Sequence, residues 1–172
     1  MRILRPNERV PSVRWIDYAR LFRRGQRVLL FDLENTLCLW RAGELGGGTR
    51  KLLRKLLNQG FRIAVLTNAS LPKDHPVAQA FVELGIPFLT RAKKPLPFAF
   101  WRALRLLGAQ KKEAVVIGDQ LLTDVLGGKL AGIYTILVEP LSPKEARRTK
   151  FNRLVERLLC RPILRAPRGS GR

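Results

Sequence analysis

Histidine, cysteine and acidic side chains are all scarce in this chain, and each scarcity removes a class of chemistry. A single histidine, His75, in 172 residues leaves no basis for a histidine-built zinc centre or a serine–histidine relay. His75 sits in a turn between Pro72 and Pro76 and reads as a solvated loop residue. Cys38 and Cys160 stand far apart and form no metal-spacing motif, so a reducing, cytoplasmic interior is the expectation. No apolar run approaches the roughly 18 residues that cross a bilayer. The opening MRILRPNERV also lacks the apolar centre of a secretory signal. Its arginines are only a partial match to a mitochondrial address, because Glu8 and Asp17 accompany them.

Acidic residues number 13 against 33 Lys and Arg, a formal net charge of +20. Residues 1–27 carry 8 basic and 2 acidic side chains, and residues 141–172 carry 10 and 2, whereas 28–140 carry 15 and 9. The excess therefore lies in the flanks and the carboxylates in the middle. Such a surface is drawn to polyanions, either an anionic membrane or nucleic acid.

What the chain does have is 46% hydrophobic residues and enough length for one domain with a sizeable core. Residues 28–37, VLLFDLENTL, carry the clearest signal. An apolar run that ends in Asp32 reads as a buried parallel strand with a carboxylate at its carboxyl end. Further strands are expected at 61–66, 87–89, 114–117 and 133–138, with helices at 49–58, 77–84, 98–107 and 123–130 between them. Leu52, Leu53, Leu56 and Leu57 form one helical face. Phe98, Trp101, Leu104 and Leu107 recur at threefold spacing and read as a core stripe. This alternation predicts an α/β, doubly wound, Rossmann-like and mainly parallel five-stranded sheet over residues 27–140. A basic arm with a short helix (1–26) precedes it, and a basic amphipathic helix and tail (141–172) follow.

In a parallel sheet every strand ends at one edge. Asp32 with Glu34, Thr67 with Asn68, Lys94, and Asp119 with Asp124 are thereby brought together. Several carboxylates at one edge repel unless a cation lies among them, and all-oxygen ligation suits Mg²⁺. A carboxylate can attack phosphorus, a second can exchange protons, and a hydroxyl and an ammonium can stabilise phosphoryl oxygens.

These residues resemble the motifs of the haloacid-dehalogenase (HAD) superfamily of phosphatases, in order, over nearly all of 27–138. Its Asp-x-Asp-x-Thr motif is matched by Asp32-Leu33-Glu34-Asn35-Thr36, with glutamate in place of the second aspartate. The resemblance implies that Asp32 is the nucleophile and a metal ligand. Glu34 becomes the general acid/base and lends its backbone carbonyl to the metal. Thr67 binds the phosphoryl group with help from the Asn68 backbone, Lys94 is the third-motif lysine, and Asp119 and Asp124 are the fourth-motif acids. Lys93 would take the place of Lys94 if the register differed by one. The extra methylene of Glu34 shifts the proton-transfer group by roughly 1.5 Å.

The stretches 37–66 and 69–93 are too short for a cap domain, so an open site is expected. Within the superfamily, DLENTL, AKKPLPFAF and GDQLLTDVLGG are similar to the capless YqeG-type and phosphatidylglycerophosphate phosphatase family. The likeness implies removal of the terminal phosphate of phosphatidylglycerophosphate, an anionic phospholipid, to give phosphatidylglycerol, and the basic exterior suits a peripheral position on the inner face of the membrane. A phosphatase for nucleic-acid ends or small phosphomonoesters, or a non-catalytic RNA-binding module, is the alternative. Ser142-Pro143-Lys144-Glu145 forms a capping box ahead of an apolar stripe at Phe151, Leu154, Val155, Leu158 and Leu159. That stripe can dock on the sheet or lie on a membrane.

Overall fold

The computed structural model describes residues 2–142; the rest of the capping box that starts at Ser142, and the amphipathic helix expected after it, lie outside them. Six strands form one parallel sheet: β1 (Glu8–Val10), β2 (Val28–Asp32), β3 (Arg62–Leu66), β4 (Phe88–Leu89), β5 (Ala114–Gly118) and β6 (Tyr134–Val138). Their order is β1-β6-β5-β2-β3-β4. Central β2 pairs with β3 at Phe31↔Val65 and with β5 at Phe31↔Ile117. The chain moves outward from β2 in one direction through β3 and β4, then in the other through β5 and β6. The carboxyl end of β2 is therefore the switch point, where open α/β sheets bind their ligands.

Alternation along each strand assigns the two faces. Leu29, Phe31, Ile63, Val65, Val115 and Ile117 join one core. Its cover is α1 (Tyr18–Arg23), α2 (Gly47–Asn58) and α3 (Pro76–Glu83). Val28, Leu30, Ala64, Leu66 and Val116 face the other core, under α4 (Phe98–Leu106) and α5 (Leu126–Ala131). Burying a Leu, Val or Phe side chain is worth about 1.5–3 kcal/mol, so the strand apolar runs supply most of the drive to this two-layered cover. Leu53 and Leu56 are buried with Leu52 and Leu57 packed beside them, as the leucine face of α2 predicts. Gly60, at φ 89°, lets the chain leave α2 and enter β3.

Two expectations need correction. The sheet has six strands rather than five, because the basic arm contributes β1 as an edge strand beside β6. Three residues, ERV, hold no apolar run that could signal a strand. Polar contacts hold them in place. The Asn7 carboxamide oxygen accepts from the Thr135 N–H at 3.0 Å and from Lys129 Nζ at 2.6 Å. Glu8 pairs with Arg20 and accepts from the Tyr134 hydroxyl at 2.6 Å.

The second correction concerns α4. Phe98 and Trp101 are exposed, and the buried residues are Ala99, Phe100, Ala103 and Leu104. A strict threefold spacing drifts around a helix of 3.6 residues per turn, whereas i, i+1, i+4 and i+5 hold one face.

Candidate active site

Each functional side chain sits in the first residues beyond a strand. Asp32 ends β2, Thr67 and Asn68 follow β3, Lys94 lies in the connection after β4, and Asp119 follows β5. Asp124 comes from a π-helical turn, Leu121–Val125, that leads into α5. Asp32, Thr67, Lys94, Asp119 and Asp124 are all buried.

Lys94 is the hub. Its Nζ donates to Asp32 Oδ1 at 2.5 Å, to Asp124 Oδ1 at 2.7 Å and to the Leu66 carbonyl at 3.0 Å. An ammonium has three donors, and all three are used. The structure thus brings Lys94 into the cluster and leaves Lys93 exposed. Burial draws the Lys94 ammonium down, but Asp124 and Asp32 outweigh it and hold the group charged above its ordinary range. Burial pushes the Asp32 carboxyl up to about 7; Lys94 opposes that rise and Asp124 adds to it.

The Asn68 side chain has a role that its sequence position does not announce. Its Oδ1 accepts from the Lys94 N–H at 2.7 Å, and its Nδ2 donates to the Lys94 carbonyl at 3.0 Å. The carboxamide clamps both polar groups of one residue and so positions the lysine. Thr67 Oγ1 accepts from the Ala69 N–H at 3.0 Å and faces the cavity. His75 is half-buried and caps α3, its Nδ1 accepting from the Val77 N–H at 3.2 Å.

Glycine at 118 makes room for Asp124. A Cβ there would lie 2.3 Å from the Asp124 carboxyl carbon. Asp124 Oδ2 also accepts from the Gln120 N–H at 3.2 Å, so the turn holds the carboxylate it contributes.

The donor set fits a divalent cation. Asp32, Asp119 and Asp124 each offer a carboxylate oxygen, and these atoms lie within 4.8 Å of one another. With all of them ionised, three carboxylates and one ammonium leave two negative charges in a buried cluster, which a divalent ion would balance. Asp32 Oδ2 is buried and has no hydrogen-bond partner, so one oxygen of the central carboxylate remains for such an ion or for substrate. The Glu34 carboxylate is not among the converging three; its expected metal contact is a backbone carbonyl. Glu34 is half-buried and lines the same cavity.

That cavity has a volume of about 480 Å³, with Asp32, Thr67 and Lys94 in its wall. Its rim comes from residues 39–42 and 69–71, including Trp40 and Arg41. The Arg41 guanidinium stacks on the Trp40 ring at 4.8 Å from its centroid. These connections contain no domain-sized insertion, so the cavity opens directly at the sheet edge. Cys38, behind the rim, takes no part in the cluster. Burial, then Glu34 and Asp32, push its thiol up to about 12.

Known proteins resemble this chain in sequence and in fold. The chain is 36% identical over 160 residues to the "Probable phosphatase YqeG" of Bacillus subtilis (strain 168), covering 93% of this chain and 91% of that one. This chain belongs to the YqeG-like phosphatases of the HAD superfamily. The family model described as HAD-hydrolase-like matches residues 91–150, which include Lys94, Asp119 and Asp124. The "Phosphatidylglycerophosphate phosphatase 1, chloroplastic/mitochondrial" of Arabidopsis thaliana is 31% identical over 147 residues. That alignment covers 81% of this YqeG-like chain and 42% of the plant protein. Among solved structures, NagD from E. coli K-12 superposes with a TM-score of 0.55 at 16% identity, over 72% of this chain and 90% of that one. The superposition is a likeness of fold, and it agrees with the parallel α/β sheet described above.

Proposed function

We propose that this YqeG-like phosphatase removes the terminal phosphate of phosphatidylglycerophosphate, with Mg²⁺ as its cation and Asp32 as its nucleophile. The observation that carries the reading is Asp32, bridged by Lys94 to Asp124, in the wall of a cavity that no cap covers among the described residues. An open mouth suits a phosphomonoester whose remaining body is large. The similarity to the Arabidopsis phosphatidylglycerophosphate phosphatase supports a phospholipid.

Asp32, Asp119 and Asp124 would hold Mg²⁺, with the Glu34 carbonyl as a fourth protein donor. Bound there, the ion supplies charge neutralisation for phosphoryl oxygens and orients the phosphate. Asp32 attacks phosphorus, the bond to the leaving oxygen breaks, and Glu34 delivers the proton which that oxygen needs. Water then attacks the aspartyl-phosphate, Glu34 takes its proton, and phosphate departs with Asp32 restored. Lys94 and Thr67 stabilise the oxygens of the transferring group. Asn68 keeps Lys94 in register throughout.

A substrate panel tests this reading. Wild type with Mg²⁺ is expected to release phosphate from phosphatidylglycerophosphate in mixed micelles, and Asp32→Asn to release none. Faster turnover of 5′-phosphorylated oligonucleotides or of small phosphomonoesters would replace the lipid with those substrates.

A further inference from the structure

The catalytic edge carries a second pattern that the phosphatase chemistry does not use. Trp15 follows β1, Leu39 and Trp40 follow β2, Leu96 and Phe98 follow β4, and Leu141 follows β6. Because the strands are parallel, these connections all emerge at the edge that holds Asp32 and Lys94. Leu141 is tied there directly, its N–H donating to the Asn35 carbonyl at 3.0 Å. Five of the six are exposed, Trp15 at 72% and Phe98 at 65%, and Trp40 is half-buried.

The opposite end of the molecule differs in kind. Its exposed large residues include Val82, Leu106 and Leu130, near the ends of helices that return to the other edge. These are aliphatic. Trp15, Trp40 and Phe98 lie at the catalytic edge; Trp101, edge-on to Phe98 at 5.7 Å, reaches the other way, its indole N–H donating to the Ala131 carbonyl at 3.5 Å. Large aromatics at one end of a molecule are the arrangement that suits a membrane–water interface, where the ring is apolar and the tip polar.

Charge among the described residues does not separate the two edges, since Arg23, Arg24, Arg27, Lys111 and Lys112 are exposed at the other one. The exposed cations Arg14, Arg41, Arg91 and Lys93 outnumber the exposed acids Asp17, Glu44 and Asp74 at this edge. The larger excess follows Ser142, where the described chain ends four residues beyond β6. The 30 residues after it carry 10 Lys and Arg against 2 Glu. A basic segment attached beside an apolar rim complements an anionic bilayer, at about 1 kcal/mol per basic residue near such a surface. Nucleic acid would satisfy the cations and leave the leucines and phenylalanine unmatched.

We propose that the carboxyl edge of the sheet is a docking face for an anionic lipid bilayer, with the Trp15, Leu39, Trp40, Leu96, Phe98 and Leu141 rim entering the interface around the active-site mouth. This deepens the reading of a phospholipid substrate and rests on it: a lipid phosphate would reach Asp32 from the membrane plane, without leaving the bilayer.

The test is flotation of the full chain with vesicles of phosphatidylcholine alone or mixed with phosphatidylglycerol. Wild type is expected to float with the mixed vesicles. The exposed-residue variant Trp15→Ser/Leu96→Ser/Phe98→Ser is expected to bind them at least about tenfold more weakly, with unchanged circular dichroism and unchanged turnover of p-nitrophenyl phosphate. Brominated acyl chains in the mixed vesicles should quench the tryptophan emission of wild type, a measurement that needs no variant. Equal flotation of wild type and variant, absence of quenching, or retention of wild type by an RNA oligonucleotide but not by vesicles would each overturn the docking face. Flotation and quenching without phosphate release from phosphatidylglycerophosphate would support the face and reject that substrate.

Discussion

The body of the sheet and its carboxyl edge are a few residues apart along every strand, yet opposite rules build them. In β2, the residues from Val28 to Phe31 are buried by apolar neighbours on both faces. One residue further, Asp32 is buried among other charges. Its nearest partner is an ammonium at 2.5 Å, and a second carboxylate shares that ammonium. The body gains stability from each buried group. The edge spends some of that stability to hold carboxylates out of water at distances they would not choose. Function is concentrated where the strands stop following the rule that makes them strands.

The sharpest way to break this contrast is to remove the central charge. Asp32→Asn should reduce phosphomonoester turnover at least about 10⁴-fold while the fold persists, because the change relieves carboxylate crowding; kinetics alongside circular dichroism would check both halves. Lys94→Met acts in the opposite sense, leaving Asp32 and Asp124 to face one another unbridged. It should cost about 3–5 kcal/mol of stability in urea unfolding as well as activity, and a divalent cation should restore part of the stability.

Two phenylalanines on α4 test the body of the sheet against its surroundings. Phe100→Ala should lose about 3–5 kcal/mol, and Phe98→Ala should stay within about 0.5 kcal/mol, both by urea unfolding. Equal losses would restore the threefold core stripe that the structure rejects. Gly118→Ala probes the join between body and edge, since the new Cβ would meet the Asp124 carboxyl carbon at 2.3 Å. It should cost about 1–3 kcal/mol and lower turnover through displacement of Asp124.

The mildest effect concerns Cys38. Folding raises its thiol from the ordinary 9.0 to about 12, so the folded state keeps a proton that the unfolded state releases. Stability contributed by this group is complete below pH 9.0 and declines as pH rises from there towards 12. In a Cys160→Ser background, alkylation at neutral pH should be at least about tenfold slower for folded protein than in urea.

The body of the sheet was legible in the sequence because burial there follows period and hydrophobicity. The apolar runs ending at Asp32, Leu66, Gly118 and Val138 mark strands, and the glycines after the helices mark their stops. The edge was legible as residue types in order, since Asp32, Thr67, Lys94, Asp119 and Asp124 stand at strand ends whatever the details of their contacts. Three things were not legible. β1 is fixed by Asn7 and Glu8 through polar contacts over 120 residues away in the chain, and no local pattern encodes them. Phe98 and Trp101 sit on a helix so short that two competing faces fit its sequence, and only the position of the sheet selects one. The clamp from Asn68 to Lys94 depends on how two loops meet, 26 residues apart. Its residue type is common after strands, and nothing in the spacing singles it out.

That clamp has an evolutionary consequence. A carboxamide has the same donor and acceptor as a peptide unit, so Asn68 serves Lys94 as a strand neighbour only one residue long. The lysine's address is thereby written in hydrogen bonds at the tip of β3, beside the β3–β4 pairing that brings the chain back to it. Residues 72–74, between the cavity rim and α3, can change composition without moving the ammonium. This leaves that stretch beside the mouth of the cavity free to diverge towards new substrates while the charge beneath it stays in place.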